Sequence, residues 1–113
     1  MFKECSDITE IDFSNFNTSN ITNMQSMFRG CSSLTSLNLS NFDTSKVREI
    51  EFIFDGCTNL EYINMINFNE NSLDNHYSNI FYNVPNNIVV CINVNNIPKI
   101  YPQINSKTCH IED

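Results

Sequence analysis

One pattern recurs along this chain at a fixed spacing of 26 residues. Met1-Phe2, Met27-Phe28 and Ile53-Phe54 mark successive copies, and Ile80-Phe81 follows after 27. Cys5, Cys31 and Cys57 keep the same spacing, as do Ile8, Leu34 and Leu60, then Ile11, Leu37 and Ile63. Phe16, Phe42 and Phe68 form a further column, each preceded by Asn15, Asn41 or Asn67, and Ile21, Val47 and Leu73 complete the set. So many aligned apolar columns restrict the chain to stacked units. A single unit of this length cannot bury its apolar face alone, and neighbours must supply a continuous core.

Each unit carries two periodicities. In "LTSLNLSNF", Leu37 and Leu39 lie two apart with polar residues between them, the alternation of a strand. Val47, Ile50, Ile53 and Phe54 then fall at helical spacing, as do Ile21, Met24, Met27 and Phe28. The third unit has one extra residue before Ile80. Its set, Leu73, Tyr77, Ile80 and Phe81, still keeps one helical face, whereas a strand would be turned inside out by the slip. Ser45 and Ser72 stand where helix N-caps belong, and Gly30, Gly56 and Asn83 where a left-handed residue would close a helix; Glu4 breaks that column. The pattern predicts an α/β solenoid with a parallel sheet on one face and short helices on the other. Ile11/Leu37/Ile63 and Phe13/Leu39/Met65 should face inward, met by Phe2/Phe28/Phe54/Phe81. Residues 1–84 make three 26/27-residue units, the first incomplete at its N-terminus, and residues 85–113 a C-terminal cap. In the cap, "NIVVCINV" reads as a buried strand, "IPKIYPQI" as a short helix or turns limited by Pro98 and Pro102, and "KTCHI" as a last strand.

Charge narrows the function classes. The 113 residues carry 13 acidic and 6 basic side chains, a net charge of −7, which disfavours a phosphate backbone or an anionic membrane surface. No apolar run approaches the ~20 residues of a spanning helix, and "MFKECSDITE" lacks the features of a signal peptide. Asn is abundant after residue 59, which suits turns and left-handed positions.

The pattern in "MFRGCSSLTSLNLSNF" and "SNFDTSKV" resembles the BspA-like leucine-rich-repeat surface proteins, in particular their short Asn/Asp-Thr-Ser subtype. The resemblance covers residues 1–84; "INFNENSL" departs from it, with Glu70 and Asn71 in place of Thr-Ser, so that loop should differ. It implies a leucine-rich-repeat-like, right-handed solenoid and a non-enzymatic adhesion or protein-binding module, extracellular or on a cell surface. The chain would be a fragment of a longer protein in which further repeats stack on it, with a protein partner, for example a host matrix or cell-surface protein. The alternative is an intracellular or secreted scaffold or effector of the same fold. In a secreted protein Cys91 and Cys109, on neighbouring cap strands, would form a disulfide; the other reading is two free thiols.

No catalytic, cofactor or metal constellation stands out. Cys5, Cys31 and Cys57 lack the close pairing of a zinc site, and Val84 takes the fourth place in their column, so they read as core thiols. Cys109 and His110 are adjacent in a strand and point to opposite faces, while His76 falls on an outward helix position. Asn15, Asn41 and Asn67 suit backbone satisfaction in the turns after each strand. Sequons at Asn17, Asn20 and Asn38 are inexpensive matches in so Asn-rich a chain. The surface left to carry recognition is the outward sheet face: Glu10, Ser36 and Tyr62 in one row, Asp12, Asn38 and Asn64 in the next. Tyr62 is its aromatic anchor.

Overall fold

Four strands, β1 (Ser36–Asn38), β2 (Tyr62–Asn64), β3 (Val89–Ile92) and β4 (Lys107–His110), form one parallel sheet in sequence order. The structure, a computed structural model, describes residues 5–74, 77–104 and 107–110. Phe2, Glu4 and His76 lie outside that range. The register follows the repeat: Leu37 lies opposite Ile63, Ile63 opposite Val90, and Val90 opposite Thr108. Strand alternation sends Leu37, Ile63 and Val90 inward, and all three are fully buried. Leu39, Met65 and Ile92 continue the inward row two residues on. From the opposite side the Phe column meets them. The Phe28 and Phe54 rings stack at 6.1 Å and 12°, and Phe54 and Phe81 follow at 5.9 Å.

Among the described residues the face opposite the sheet has no α-helix, which corrects the expectation of short helices there. Residues 25–30 and 51–56 are successive turns. Met27, Arg29 and Cys31 donate their N–H to residues three back, Met24, Ser26 and Phe28. The alternate N–H groups leave the unit altogether. Met24, Ser26, Phe28 and Gly30 donate to the carbonyls of Glu49, Glu51, Ile53 and Asp55, at 2.8 to 3.0 Å. An α-helix needs every one of those N–H groups for its own i−4 carbonyls. A lone two-turn helix is also too short to hold itself together. Ser26, Phe52 and Asn79 adopt positive φ in mid-segment, which breaks helical continuity. A chain of three-residue turns returns apolar side chains to one side as often as a helix does, so the spacing alone cannot tell them apart. With no helix to start, Ser45 and Ser72 are not N-caps; Ser72 Oγ instead donates to the Val47 carbonyl at 2.6 Å.

Gly30 and Gly56 do sit at positive φ, +78° and +82°, as turn closers. A Cβ on Gly56 would come within 3.3 Å of the Gly30 nitrogen, so glycine there also permits the backbones of adjacent units to approach. Asn83 takes the same conformation in the third unit, with φ +60°.

The first unit differs from the second and third. Its expected strand around Ile11 and Phe13 does not form among the described residues. The Thr35 N–H reaches the Thr9 carbonyl, but no ladder extends from it. Ile8 and Phe16 remain exposed, at 41% and 44%, where Leu34 and Phe42 in the next unit are buried. After β3 come two 3-10 turns, Val94–Asn96 and Tyr101–Gln103, the second containing Pro102. Among the described residues no helix is long and apolar enough to cross a membrane.

Candidate functional site

The outward side of the sheet is assembled from the same alternation that builds the core. Ser36, Tyr62 and Val89 lie in register along one row, all half-buried, and Asn38, Asn64, Cys91 and Cys109 lie along the next. Glu10 and Asp12, expected to extend these rows, are exposed but belong to no strand, so the sheet brings together four of the six nominated residues. Cys91 and Cys109 are register partners with Cα atoms 4.4 Å apart, and they form a disulfide. That bond ties β4, an edge strand, to β3.

The second row also has a local duty. Asn38 Oδ1 accepts from the Ser40 N–H at 3.1 Å and from its hydroxyl at 2.6 Å. Asn64 Oδ1 accepts from the Ile66 N–H, and Asp12 Oδ1 from the Ser14 N–H. These are side-chain turns, and those of Asn38 and Asn64 end β1 and β2. Hydrogen bonds from the Ser14 backbone and hydroxyl hold the Asp12 carboxyl below its ordinary pKa. The amide N–H groups of Asn38 and Asn64 find no acceptor among the described residues. The sheet face therefore offers two carboxamide donors, one serine and one aromatic ring.

The Asn/Asp-Thr-Ser loops hold the units together, a role the sequence reading did not assign to Thr18, Thr44 or Glu70. Asn17, Asp43 and Asn69 accept from the N–H two residues on. Thr18 Oγ1 accepts from the Asp43 N–H, and Thr44 Oγ1 from the Asn69 N–H, both at 2.9 Å. Both threonines are buried. In the third unit Glu70 takes this place. Its buried carboxylate accepts from the N–H groups of Lys99 and Ile100 at 2.9 to 3.0 Å. The longer side chain spans to the cap where threonine would fall short. The signal was the departure from the motif at Glu70, which acquires its meaning only once the cap is placed against it. Asn67, nominated for a turn role, donates its amide to the Ser40 carbonyl one unit back.

The thiol column is chemically quiet. Cys31 and Cys57 are fully buried, and burial pushes their pKa values up to about 11 and about 12. Cys57 Sγ donates to the Phe28 carbonyl. Among the described residues no group of three His, Cys, Asp or Glu side chains is placed to hold a metal ion. Two open cavities lie on the surface of the described residues. One of about 440 Å³ runs over the loops between Thr44 and Asn69. The other, about 310 Å³, lies between the third unit and the cap, beside Tyr82, Pro85 and Gln103.

Residues 1–101 match the family described as Mycoplasma protein of unknown function, DUF285. No curated protein and no solved structure matches the chain.

Proposed function

The chain belongs to the DUF285 family, and we propose that it is a non-enzymatic repeat module, a leucine-rich-repeat-like solenoid of the BspA-like kind, that binds a protein partner at a cell surface. The observation that carries this reading is the in-register outward row Ser36–Tyr62–Val89, with the Asn38 and Asn64 amide donors alongside it. A half-buried tyrosine framed by small and polar neighbours is the composition of a protein-contact anchor. The Cys91–Cys109 disulfide supports an extracellular setting, because such bonds persist in oxidising compartments. The 26-residue ladder supports stacking on further units of the same kind.

Purified extracellular-matrix proteins, presented one at a time to the immobilised chain, test this. Saturable binding to at least one is expected, weakened about tenfold by Tyr62→Ala. Binding that is absent throughout, or indifferent to Tyr62→Ala, removes the sheet face as the site.

A further inference from the structure

Cys5, Cys31 and Cys57 hold the same place in three successive turns. Each of their carbonyls accepts from the N–H three residues on, that of Ile8, Leu34 or Leu60. The chain after Cys5 runs beside the chain after Cys31. The Thr9 carbonyl accepts from the Thr35 N–H at 3.1 Å, and the Ser6 carbonyl accepts from the Ser33 hydroxyl. That register sets Cys5 against Cys31. Backbones bonded in this way lie ~4.8 Å apart, within the Cα separation that a disulfide spans. The cap shows such a spacing already bridged, between Cys91 and Cys109, whose Cα atoms are 4.4 Å apart. In the column itself the Cys31 thiol is hydrogen-bonded to the Cys5 thiol.

The three thiols differ in what can reach them. Cys31 and Cys57 are fully buried, and Cys57 Sγ is turned to the Phe28 carbonyl at 3.2 Å. Cys5 is half-buried. A dissolved oxidant therefore meets the column at Cys5, and the thiol within reach behind it is that of Cys31. The mechanical need lies at the same place. Residues 24–30 hold residues 49–55 by four backbone bonds, whereas no ladder extends from the Thr9 carbonyl, and Ile8 and Phe16 stay exposed. At the far end of the sheet β4 is tied to β3 by the Cys91–Cys109 bond.

We infer that Cys5 and Cys31 are a second, reversible disulfide site, closed by exchange with a low-molecular-weight disulfide, which fastens the stretch around Cys5 to the unit beside it. The Cys5 thiolate attacks one sulfur of the small disulfide, forms a mixed disulfide and releases one thiolate. The Cys31 thiolate then attacks the Cys5 sulfur and releases the second. Two protein thiols are oxidised to one disulfide, the small disulfide is reduced to two thiols, and the protons lost by Cys5 and Cys31 end on those thiols. Burial, with the bond to Cys5, holds the Cys31 pKa up at about 11, so the second attack is the slower one. The site shares an oxidising setting with the proposed function, and it uses neither Tyr62 nor the sheet face.

Oxidised glutathione added to the whole folded chain tests it. The intact mass should fall by two hydrogens. Tryptic mapping without reductant should recover Cys5 joined to Cys31, with Cys57 alkylated only after denaturation; cleavage at Arg29, Lys46 and Arg48 places the three cysteines in separate peptides. The thermal midpoint should rise by about 10 °C, as expected for closing a loop of this length. Cys5→Ser should show neither change; should that variant not fold, the map of the unaltered chain decides alone. A stable glutathione adduct at Cys5, a Cys31–Cys57 bond, a dimer linked through Cys5 or no reaction at all overturns the inference. So does a Cys5–Cys31 bond that leaves the midpoint where it was. None of these readouts involves a partner protein, so this site and the sheet face fail separately.

Discussion

The junction between the first and second units and the junctions on either side of the third are built from different materials. At the first, four alternate backbone N–H groups of residues 24–30 bond four alternate carbonyls of residues 49–55. At the 27-residue junction no backbone bond joins residues 49–56 to 77–83 among the described residues. Ser78 Oγ donates to the Glu51 carboxylate and the Asn83 amide to the Asp55 carboxylate instead. Beyond the third unit, the Glu70 carboxylate and the Gln103 carboxamide add side-chain contacts to the β2–β3 pairing and the bond from the Glu70 N–H to the Asn96 carbonyl. A backbone ladder tolerates no slip, since its donors are spaced by fixed geometry, whereas side chains with several rotatable bonds absorb a one-residue misfit. The repeat is thus rigid where its spacing is kept and adaptable where it is broken.

Truncations of the core separate the two regimes most strongly. Leu37→Ala, beneath the ladder-bonded units, should lower unfolding free energy by about 2–5 kcal/mol in a urea titration. Ile80→Ala, beside the open cavity, should fall at the lower end of that range because its surroundings can collapse. Equal losses would show that the ladder does not tighten the core. Reduction of the Cys91–Cys109 bond, whose partners are 18 residues apart, should cost about 3 kcal/mol and act on the cap end. An unchanged midpoint in reductant would mean that β4 holds without it.

Glu70→Ala should cost about 2 kcal/mol, since it strands the buried Ile100 N–H and the part-buried Lys99 N–H that bonded a carboxylate, against about 1 for Thr44→Ala. The reverse order would make the side-chain junction the minor one. Gly56→Ala should cost about 1–2 kcal/mol for its left-handed backbone alone and more if Gly30 cannot yield. Asn83→Gly should cost about 1 kcal/mol, because glycine accepts that backbone conformation but lacks the amide that bonds the Asp55 carboxylate. The smallest expected effect is titrational. Cys31 and Cys57 bind their protons more tightly folded than unfolded, so their contribution is complete below pH 9 and is lost as pH rises towards about 11 and about 12. Alkylation of the native chain at pH 8 should therefore reach the half-buried Cys5 first, read by mass spectrometry.

The inward columns were legible in the sequence because burial writes itself into apolar spacing. Leu37, Leu39, Phe42, Cys57 and Ile63 are where the repeat puts them. The turn face was not legible as turns. Apolar residues at i, i+3 and i+4 record which side is buried, and say nothing of whether N–H groups bond three residues back, four back or into the next unit. Glu10 and Asp12 fell outside the sheet because, among the described residues, the backbone of their stretch bonds the next unit only through the Thr9 carbonyl, which accepts from the Thr35 N–H, and a column of aligned residues does not report how many such bonds form. Asn38 and Asn64 were legible as outward but not as turn acceptors, since the same side chain serves either purpose. The cavity beside Tyr82 arises where the repeat stops, in a stretch with no column to read.

The alternating use of N–H groups has a consequence for the gene. The stretch 24–30 keeps half its donors for itself and passes half to its neighbour, so it is complete only with that neighbour in place. The four bonds from residues 24–30 to residues 49–55 occur where the spacing is 26, and none joins residues 49–56 to 77–83 among the described residues, where one residue has been added before Ile80. Copying errors in repetitive DNA add or remove whole repeats, and a repeat gained at the 26-residue spacing would bring with it the alternate donors and acceptors that residues 24–30 and 49–55 display.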